Sequence, residues 1–218
     1  MMKKKINNRL IALLTAVLFC VGTQTLAQER LQPMQDIDAF KEGMKIASAG
    51  TNSIGSDFEQ LKHLSFLEED VLSRGVFYFQ KENKLRWEYS EPFFYLIIFN
   101  KDTVVIQDDR KTNVYDAASG QMFRQINNIM LSLVNGTILE SKDFTFEYFE
   151  NTTYYQLALT PLDENMKDFL SEILLTIDRE DFLAEELYMI ESSGDYTHIR
   201  FINKKLNEEI PDHTFELP

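Results

Sequence analysis

Apolar residues recur along most of the chain with a period of two, which is the spacing of β-strands. Segments rich in aromatic and β-branched residues alternate with short turn-forming pieces such as Glu91-Pro92 and Asn100-Lys101-Asp102. Because the connections are short, the pattern indicates antiparallel hairpins, since a parallel sheet would need long crossovers. We predict about ten strands, at residues 56–64, 72–80, 84–89, 94–100, 103–108, 143–149, 153–161, 172–178, 184–191 and 195–203, with a last short one near 214–217.

Two segments follow the helical period instead. The first lies near residue 40, and Asp36 or Asp38 is placed to favour its start. The second spans about three and a half turns and stops at Asn135-Gly136. A single helical turn is predicted at residues 165–170. The apolar stripes are Ile37, Phe40, Met44 and Ala47 in the first helix, and Met122, Phe123, Ile126, Ile129, Met130, Leu133 and Val134 in the second.

The predicted strands place their apolar side chains on one face, since alternate residues of a strand point the same way. The row Leu85, Trp87 and Tyr89, for example, opposes Arg86 and Glu88. For any one residue, an ordinary core covered by helices explains the pattern. Two helices with about a dozen apolar side chains are few for some ten strands, however, and this mismatch indicates a cavity. Similar rows are Phe144, Phe146 and Tyr148; Tyr155, Leu157 and Leu159; and Ile173, Leu175 and Ile177.

The composition narrows the class of protein. The chain has 218 residues, with 35 acidic against 22 basic residues and a formal net charge of −13. An acidic balance argues against a nucleic-acid binder, because neutralising phosphates takes Lys and Arg. The single Cys excludes a disulfide framework, a Cys-based zinc site and a CxxC redox pair. No linker rich in Pro, Gly or Ser divides the chain, so we predict one domain.

The N-terminus has the pattern of a cleavable signal peptide over residues 1–27. Four basic residues precede the apolar run Leu10–Val21, which is too short to span a bilayer, and small residues favour cleavage after Ala27. The remaining domain, residues 28–218, has no Cys, and losing the four positive charges takes its net charge from −13 to −17. One alternative is an uncleaved anchor helix. Another is a lipoprotein signal with Cys20 acylated, although bulky Phe19 precedes that Cys.

Motifs for catalysis and cofactor binding are missing from the sequence. It contains no GxSxG, HExxH or GxGxxG motif and no GKS/T loop. Adjacent carboxylates such as Asp108 and Asp109 would point to opposite faces of a strand, which makes them poor acid–base pairs. We therefore expect no enzyme, no cofactor and no metal site. The three histidines also lie far apart, without the spacing of metal ligands: His63, His198 and His213.

The segment from Gly75 to Pro92, GVFYFQKENKLRWEYSEP, resembles the signature of the periplasmic outer-membrane lipoprotein carrier family, LolA. Members of that family have G-x-F-x-F, a turn, and then L/F-R-W-x-Y-x-x-P. Further pieces similar to the family are Asn113–Asp116 (NVYD), Leu157–Pro161 (LALTP) and Asp212–Leu217 (DHTFEL). The likeness covers nearly all of the predicted mature chain, and its specificity lies in the order of the pieces.

The resemblance implies a fold and a task. The fold is mainly β, an unclosed antiparallel β-barrel of about eleven strands, with a helical lid over its apolar concave face. The task is to accept acylated lipoproteins from an inner-membrane ABC transporter, carry them across the periplasm, and deliver them to an outer-membrane receptor or to the outer membrane itself. Such a carrier needs no chemical step, and we expect a monomer.

The resemblance also suggests which residues bind the cargo. Leu85 and Trp87 match positions that face the cavity, and Tyr89 shares their side of the strand. Lys81 stands where the family has an arginine that holds the lid closed. Because Lys lacks the planar fork of donors, such a latch would be weaker or different. The residues of the predicted lid helix that are expected to bind the cargo are Met122, Ile126, Ile129, Met130 and Leu133.

Three other functions fit parts of the sequence. A carrier of the same fold could take another lipid, such as a glycolipid or a polyene-type lipid. A lipid-anchored outer-membrane receptor of related fold would need Cys20 to be acylated. An enzyme acting on lipids or envelope polymers is disfavoured by the missing nucleophile and metal motifs.

Overall fold

The computed structural model describes residues 30–81, 84–100, 103–116, 131–132 and 136–217. Within these residues twelve strands form one antiparallel sheet. The strands are β1 (Gln32–Pro33), β2 (Ser53–His63), β3 (Val71–Gln80), β4 (Lys84–Glu91), β5 (Tyr95–Asn100), β6 (Thr103–Asp108), β7 (Thr112–Asp116), β8 (Phe144–Glu150), β9 (Tyr154–Pro161), β10 (Glu172–Asp178), β11 (Ala184–Ile190) and β12 (Tyr196–Leu206).

The sheet is open, with β1 and β7 as its two edges. The order is β1-β8-β9-β10-β11-β12-β2-β3-β4-β5-β6-β7, so two hairpin meanders meet where β12 pairs with β2. This confirms the predicted unclosed antiparallel barrel, with twelve strands rather than about eleven. The pattern missed β1, which has only two residues, and β7, an edge strand whose residues are mostly exposed.

The predicted strand near residues 214–217 is wrong. A 3₁₀ turn occupies Asp212–Phe215, where the Thr214 amide donates to the Pro211 carbonyl at 2.9 Å and the Glu216 amide to the His213 carbonyl at 3.2 Å. The main-chain amides of this segment therefore donate to carbonyls within the turn instead of forming a β-ladder with one of the described strands. This turn buries Phe215 against Leu96, Ile98 and Val105, which form a small core on one face of the sheet.

The first predicted helix is confirmed as α1 (Ile37–Gly50). The Asp36 carboxylate caps it by accepting from the Ala39 amide at 2.9 Å, and Phe40 and Met44 are buried. A second helix, α2 (Glu164–Lys167), is the single turn predicted nearby. A further 3₁₀ turn spans Thr137–Glu140.

The predicted lid helix falls mostly outside the described residues. Of the span from Met122 to Val134, only Leu131 and Ser132 are described; both are helical, and Leu131 is buried. Residues 1–29 are likewise not described, so the division into residues 1–27 and a domain over 28–218 stays a prediction. In the part of the chain that is described, no helix combines the length and apolar character needed to cross a bilayer.

The main core lies on the opposite face of the sheet from Phe215. We call this the inner face; it carries Leu85 and Trp87 of β4, Leu157 of β9 and Leu175 of β10, and α1 packs on it through Phe40 and Met44. Alternation therefore holds along these strands, as predicted. The run Leu96–Phe99 departs from simple alternation, because both faces of β5 are covered.

Candidate functional site

An apolar cavity of about 70 Å³ lies between α1 and the inner face. One wall comes from α1 and the residues that follow it, and the other from β2, β3 and β10–β12 together with the turn before β11. Apart from three hydroxyl side chains and one lysine, the lining is apolar. Its members are Met44, Ala47, Ser48, Thr51, Ile54, Ser56, Phe77, Leu175, Phe182, Leu183, Ala184, Leu187, Phe201 and Lys204.

Helix α1 approaches the sheet closely because it carries a glycine at the contact. A Cβ at Gly43 would lie 2.4 Å from Cζ of Phe182, so a larger residue here would displace that ring. One turn earlier, the ring centroids of Phe40 and Tyr155 lie 4.8 Å apart. The Tyr155 ring also stacks on Phe182, with 5.7 Å between their centroids. These ring contacts hold the helix against the wall of the cavity.

The C-terminal end of α1 is held by hydrogen bonds. Lys81 Nζ donates to the Ala49 carbonyl at 2.7 Å, and Asn207 Nδ2 donates to the Gly50 carbonyl at 3.0 Å. These carbonyls belong to the last turn, where no further helical amide can reach them, and a cation there also suits the helix dipole. The predicted latch role requires a hydrogen bond from residue 81 to a helix, and Lys81 donates one to α1. The role itself stays a prediction.

The residues predicted on β4 lie on the inner face beside the cavity. Leu85 and Trp87 are buried, and Trp87 packs against Phe77 at 5.4 Å and Phe201 at 6.0 Å, both of which line the cavity. Leu85, Trp87 and Tyr89 are not themselves among the described lining residues. They lie next to lining residues on the same face of the sheet, and their part in binding stays a prediction.

Tyr89 is half-buried and its hydroxyl is engaged. Burial raises the pKa of Tyr89, and the neutral phenol donates to Gln60 Oε1 at 2.9 Å. Its ring also meets Phe58 edge-on at 5.1 Å. Tyr89 therefore closes one side of an aromatic cluster with its polar atom satisfied. The five lid candidates lie outside the described residues: Met122, Ile126, Ile129, Met130 and Leu133.

Lys204 is a lining residue that the sequence did not predict, and it is the one charged side chain in the described lining. Its side chain is 17% exposed, and its ammonium lies 3.4 Å from Asp181 Oδ2 and 3.8 Å from Glu185 Oε1. Simple alternation from Phe201 would point residue 203 inward. A bulge with Asn203 at φ 56° reverses the parity, so Lys204 points inward instead.

The composition of the cavity lining indicates which kind of ligand it suits. The described lining has one cation and otherwise apolar or hydroxyl side chains, and across the described residues no group of three or more His, Cys, Asp or Glu side chains is placed to hold a metal ion. Such an arrangement suits an apolar ligand that carries few polar atoms.

Solved structures share this fold. A chain of the Pseudomonas aeruginosa MucA/MucB complex superposes with a TM-score of 0.51 at 12% identity, over 83% of this chain and 60% of that one. An uncharacterised conserved protein from Thermus thermophilus gives 0.52 at 9% identity, over 83% and 93%. A LolA superfamily protein from Nitrosomonas europaea gives 0.42 at 13% identity, over 80% and 96%. This chain thus spans less than two thirds of the MucA/MucB chain. No curated protein matches it.

The family model described as outer membrane lipoprotein carrier protein LolA matches residues 49–218. The match covers every strand from β2 to β12 and begins at the end of α1. It supports a carrier-type function with lipid or lipoprotein as cargo, and the periplasmic location of the family implies an exported protein. The sequence match and the open sheet under a helix agree with each other, and the chain belongs to the LolA family.

Proposed function

We propose that this protein is a periplasmic carrier that shields the acyl chains of lipoproteins and moves them from the inner to the outer membrane. The observation that carries the proposal is the apolar cavity between α1 and the inner face. Exposing an acyl chain of about 16 carbons to water costs about 13 kcal/mol, at about 0.8 kcal/mol per CH₂. A carrier has to offset most of that cost and still release the chain.

The size of the cavity implies that it widens for cargo. At about 70 Å³ it is well below the roughly 300–1,000 Å³ of ligand pockets. The wall best suited to move is α1, because ring contacts and a few hydrogen bonds at its last turn hold it there. Displacing this helix would widen the cavity, whose lining residues Phe77 and Phe201 contact Trp87.

The proposed cycle needs partners but no chemical step. The signal peptide over residues 1–27 would deliver the chain to the periplasm as a monomer. An inner-membrane ABC transporter would load it, and an outer-membrane receptor or the outer membrane itself would unload it. Since binding and release are the whole task, we propose that the protein is not an enzyme.

Release of a lipoprotein from inner-membrane vesicles tests the proposal. The wild-type protein should bring an acylated lipoprotein into the soluble fraction in the presence of the transporter and ATP. Ala47→Phe places a ring in the cavity wall and should abolish most of this release. Ile46→Phe is the matched control, because Ile46 is the neighbouring residue on α1 and is 64% exposed. No release by the wild-type protein would contradict the proposal.

Two further measurements separate the related functions. Native mass spectrometry of the protein purified from its host gives the mass of any lipid that copurifies, so a glycolipid or polyene-type lipid would show a different cargo. An N-terminus at Gln28 would exclude the anchored receptor, whereas palmitate on Cys20 would establish it.

A further inference from the structure

The ammonium nitrogen of Lys204 is buried at the cavity, although the side chain as a whole is 17% exposed. Its Nζ has no hydrogen-bond partner among the described residues, and the two nearest carboxylate oxygens, on Asp181 and Glu185, lie at 3.4 Å and 3.8 Å. Charge-assisted hydrogen bonds to an ammonium are about 2.7–2.9 Å long. Both distances to Lys204 are longer than this, so the two carboxylates balance the charge of the ammonium without accepting its three protons.

The other polar groups of the described lining are already engaged. Thr51 donates to the Ala47 carbonyl at 2.8 Å, Ser56 donates to the Ile202 carbonyl at 2.9 Å, and Ser48 is not free either. Lys204 is therefore the donor that the described wall offers to a ligand. A buried donor that lacks an acceptor costs free energy, and an acceptor brought in by a ligand would recover it.

The charges around Lys204 select the kind of acceptor. Asp181 and Glu185 carry two formal negative charges against one positive charge, so the trio is already net negative. A ligand carboxylate or phosphate would add a further negative charge to a poorly solvated site, whereas a neutral carbonyl oxygen accepts a hydrogen bond and adds none. Resting on the carrier function proposed above, we propose that Lys204 binds the carbonyl oxygen of an ester- or amide-linked acyl chain and discriminates against free fatty acids.

Binding of two lipids that differ in their head group tests this proposal. The probes are monopalmitoylglycerol, a neutral ester, and palmitate, a carboxylate, each measured by displacement of the apolar dye N-phenyl-1-naphthylamine. The wild-type protein should bind the ester about tenfold more tightly than palmitate. Lys204→Met keeps the length of the side chain and should weaken ester binding about tenfold, with dye affinity unchanged.

The chain provides a matched control and a reversal. Lys205→Met removes the same charge from the next residue, which is 63% exposed and pairs with Glu208 at 3.2 Å, and should leave all three affinities unchanged. The double variant Asp181→Asn/Glu185→Gln removes the negative charges while Lys204 stays, and should shift the preference toward palmitate.

The outcomes separate the two proposals. Tighter wild-type binding of palmitate than of the ester, or unchanged ester binding in Lys204→Met, would overturn the role of Lys204 and leave the carrier function standing. Binding of neither lipid by the wild-type protein would overturn the carrier function as well. If Lys204→Met does not fold, an unchanged preference in the double variant overturns the role of Lys204 by itself.

Discussion

Gly75 shows why one motif position takes the smallest residue. It lies at a bulge between β3 and β4, where a Cβ would stand 1.8 Å from the Glu88 carbonyl oxygen and 2.7 Å from Cζ of Phe58. The backbone oxygen cannot move without breaking the pairing of β3 with β4. The first position of G-x-F-x-F is therefore set by the close approach of a strand and an aromatic ring.

We expect Gly75→Ala to lower the free energy of unfolding by about 3 kcal/mol, through overpacking in the core. Urea denaturation measures the loss. Gly50→Ala is the control, because a Cβ there meets nothing within 4 Å, and it should leave the stability unchanged or slightly higher. Equal stabilities of Gly75→Ala and the wild-type protein would show that the bulge can relax.

Asp195 ties two loops together through its charge. Hydrogen bonds from the main-chain amide of Ser65 and from its side chain lower the pKa of Asp195. The hydrogen bond from the amide nitrogen to Asp195 Oδ1 is 2.8 Å long. A carboxylate whose pKa is lower in the folded state stabilises the fold at pH values above its unfolded-state pKa, about 3.9. This stabilisation is lost as the pH falls through the folded-state pKa.

Asp195→Asn should therefore be less stable than the wild-type protein at pH 7, and the difference should shrink as the pH falls from 5 to below 3. Urea midpoints across that range measure both. A difference that stays constant with pH would mean that the geometry of the loop, and not the charge, makes the contribution.

At the scale of elements, the end of α1 depends on a residue from a distant hairpin. Lys81 follows β3 and donates to the Ala49 carbonyl, whereas Lys84 begins β4 and pairs with Asp212 at 2.7 Å. The two lysines flank the same turn but contact different parts of the protein. Their comparison isolates the contact with the helix.

Lys81→Met should speed hydrogen exchange in the last turn of α1 by a few fold, because an exposed hydrogen bond contributes about 0.5–1.5 kcal/mol. Lys84→Met should leave exchange in α1 unchanged. Exchange measured by mass spectrometry on peptides that cover α1 decides the matter. The same rate in both variants would remove Lys81 as a latch for this helix.

The sequence predicted most elements because the patterns that form them are local. Alternation placed Leu85, Trp87 and Tyr89 on the inner face, and the 3.6-residue period with Asp36 placed α1. It missed Lys204, because a bulge with Asn203 in the left-handed region breaks the alternation. Asn tolerates that region, but nothing in its spacing marks a bulge.

At the scale of the whole molecule, the order of hairpins predicted an open antiparallel sheet, whereas the position of the cavity required packing. The cavity forms where Gly43 of α1 meets Phe182, more than a hundred residues later in the sequence. A contact of this kind leaves no periodic signal in either segment. The apolar excess of the strands indicated that a cavity exists, and the contact of α1 with the turn before β11 determines where it lies.

Trp87 is the only tryptophan of the chain and lies beside the cavity on the inner face, in contact with the lining residues Phe77 and Phe201. Bromine quenches indole fluorescence only over a short distance. Titration with a lipopeptide whose acyl chains are brominated therefore reports whether cargo enters this site. We expect Trp87 fluorescence to fall with the brominated lipopeptide, to stay high with the unbrominated one, and to stay high in Ala47→Phe. Binding of the brominated lipopeptide without quenching of Trp87 would contradict an acyl-chain site beneath α1.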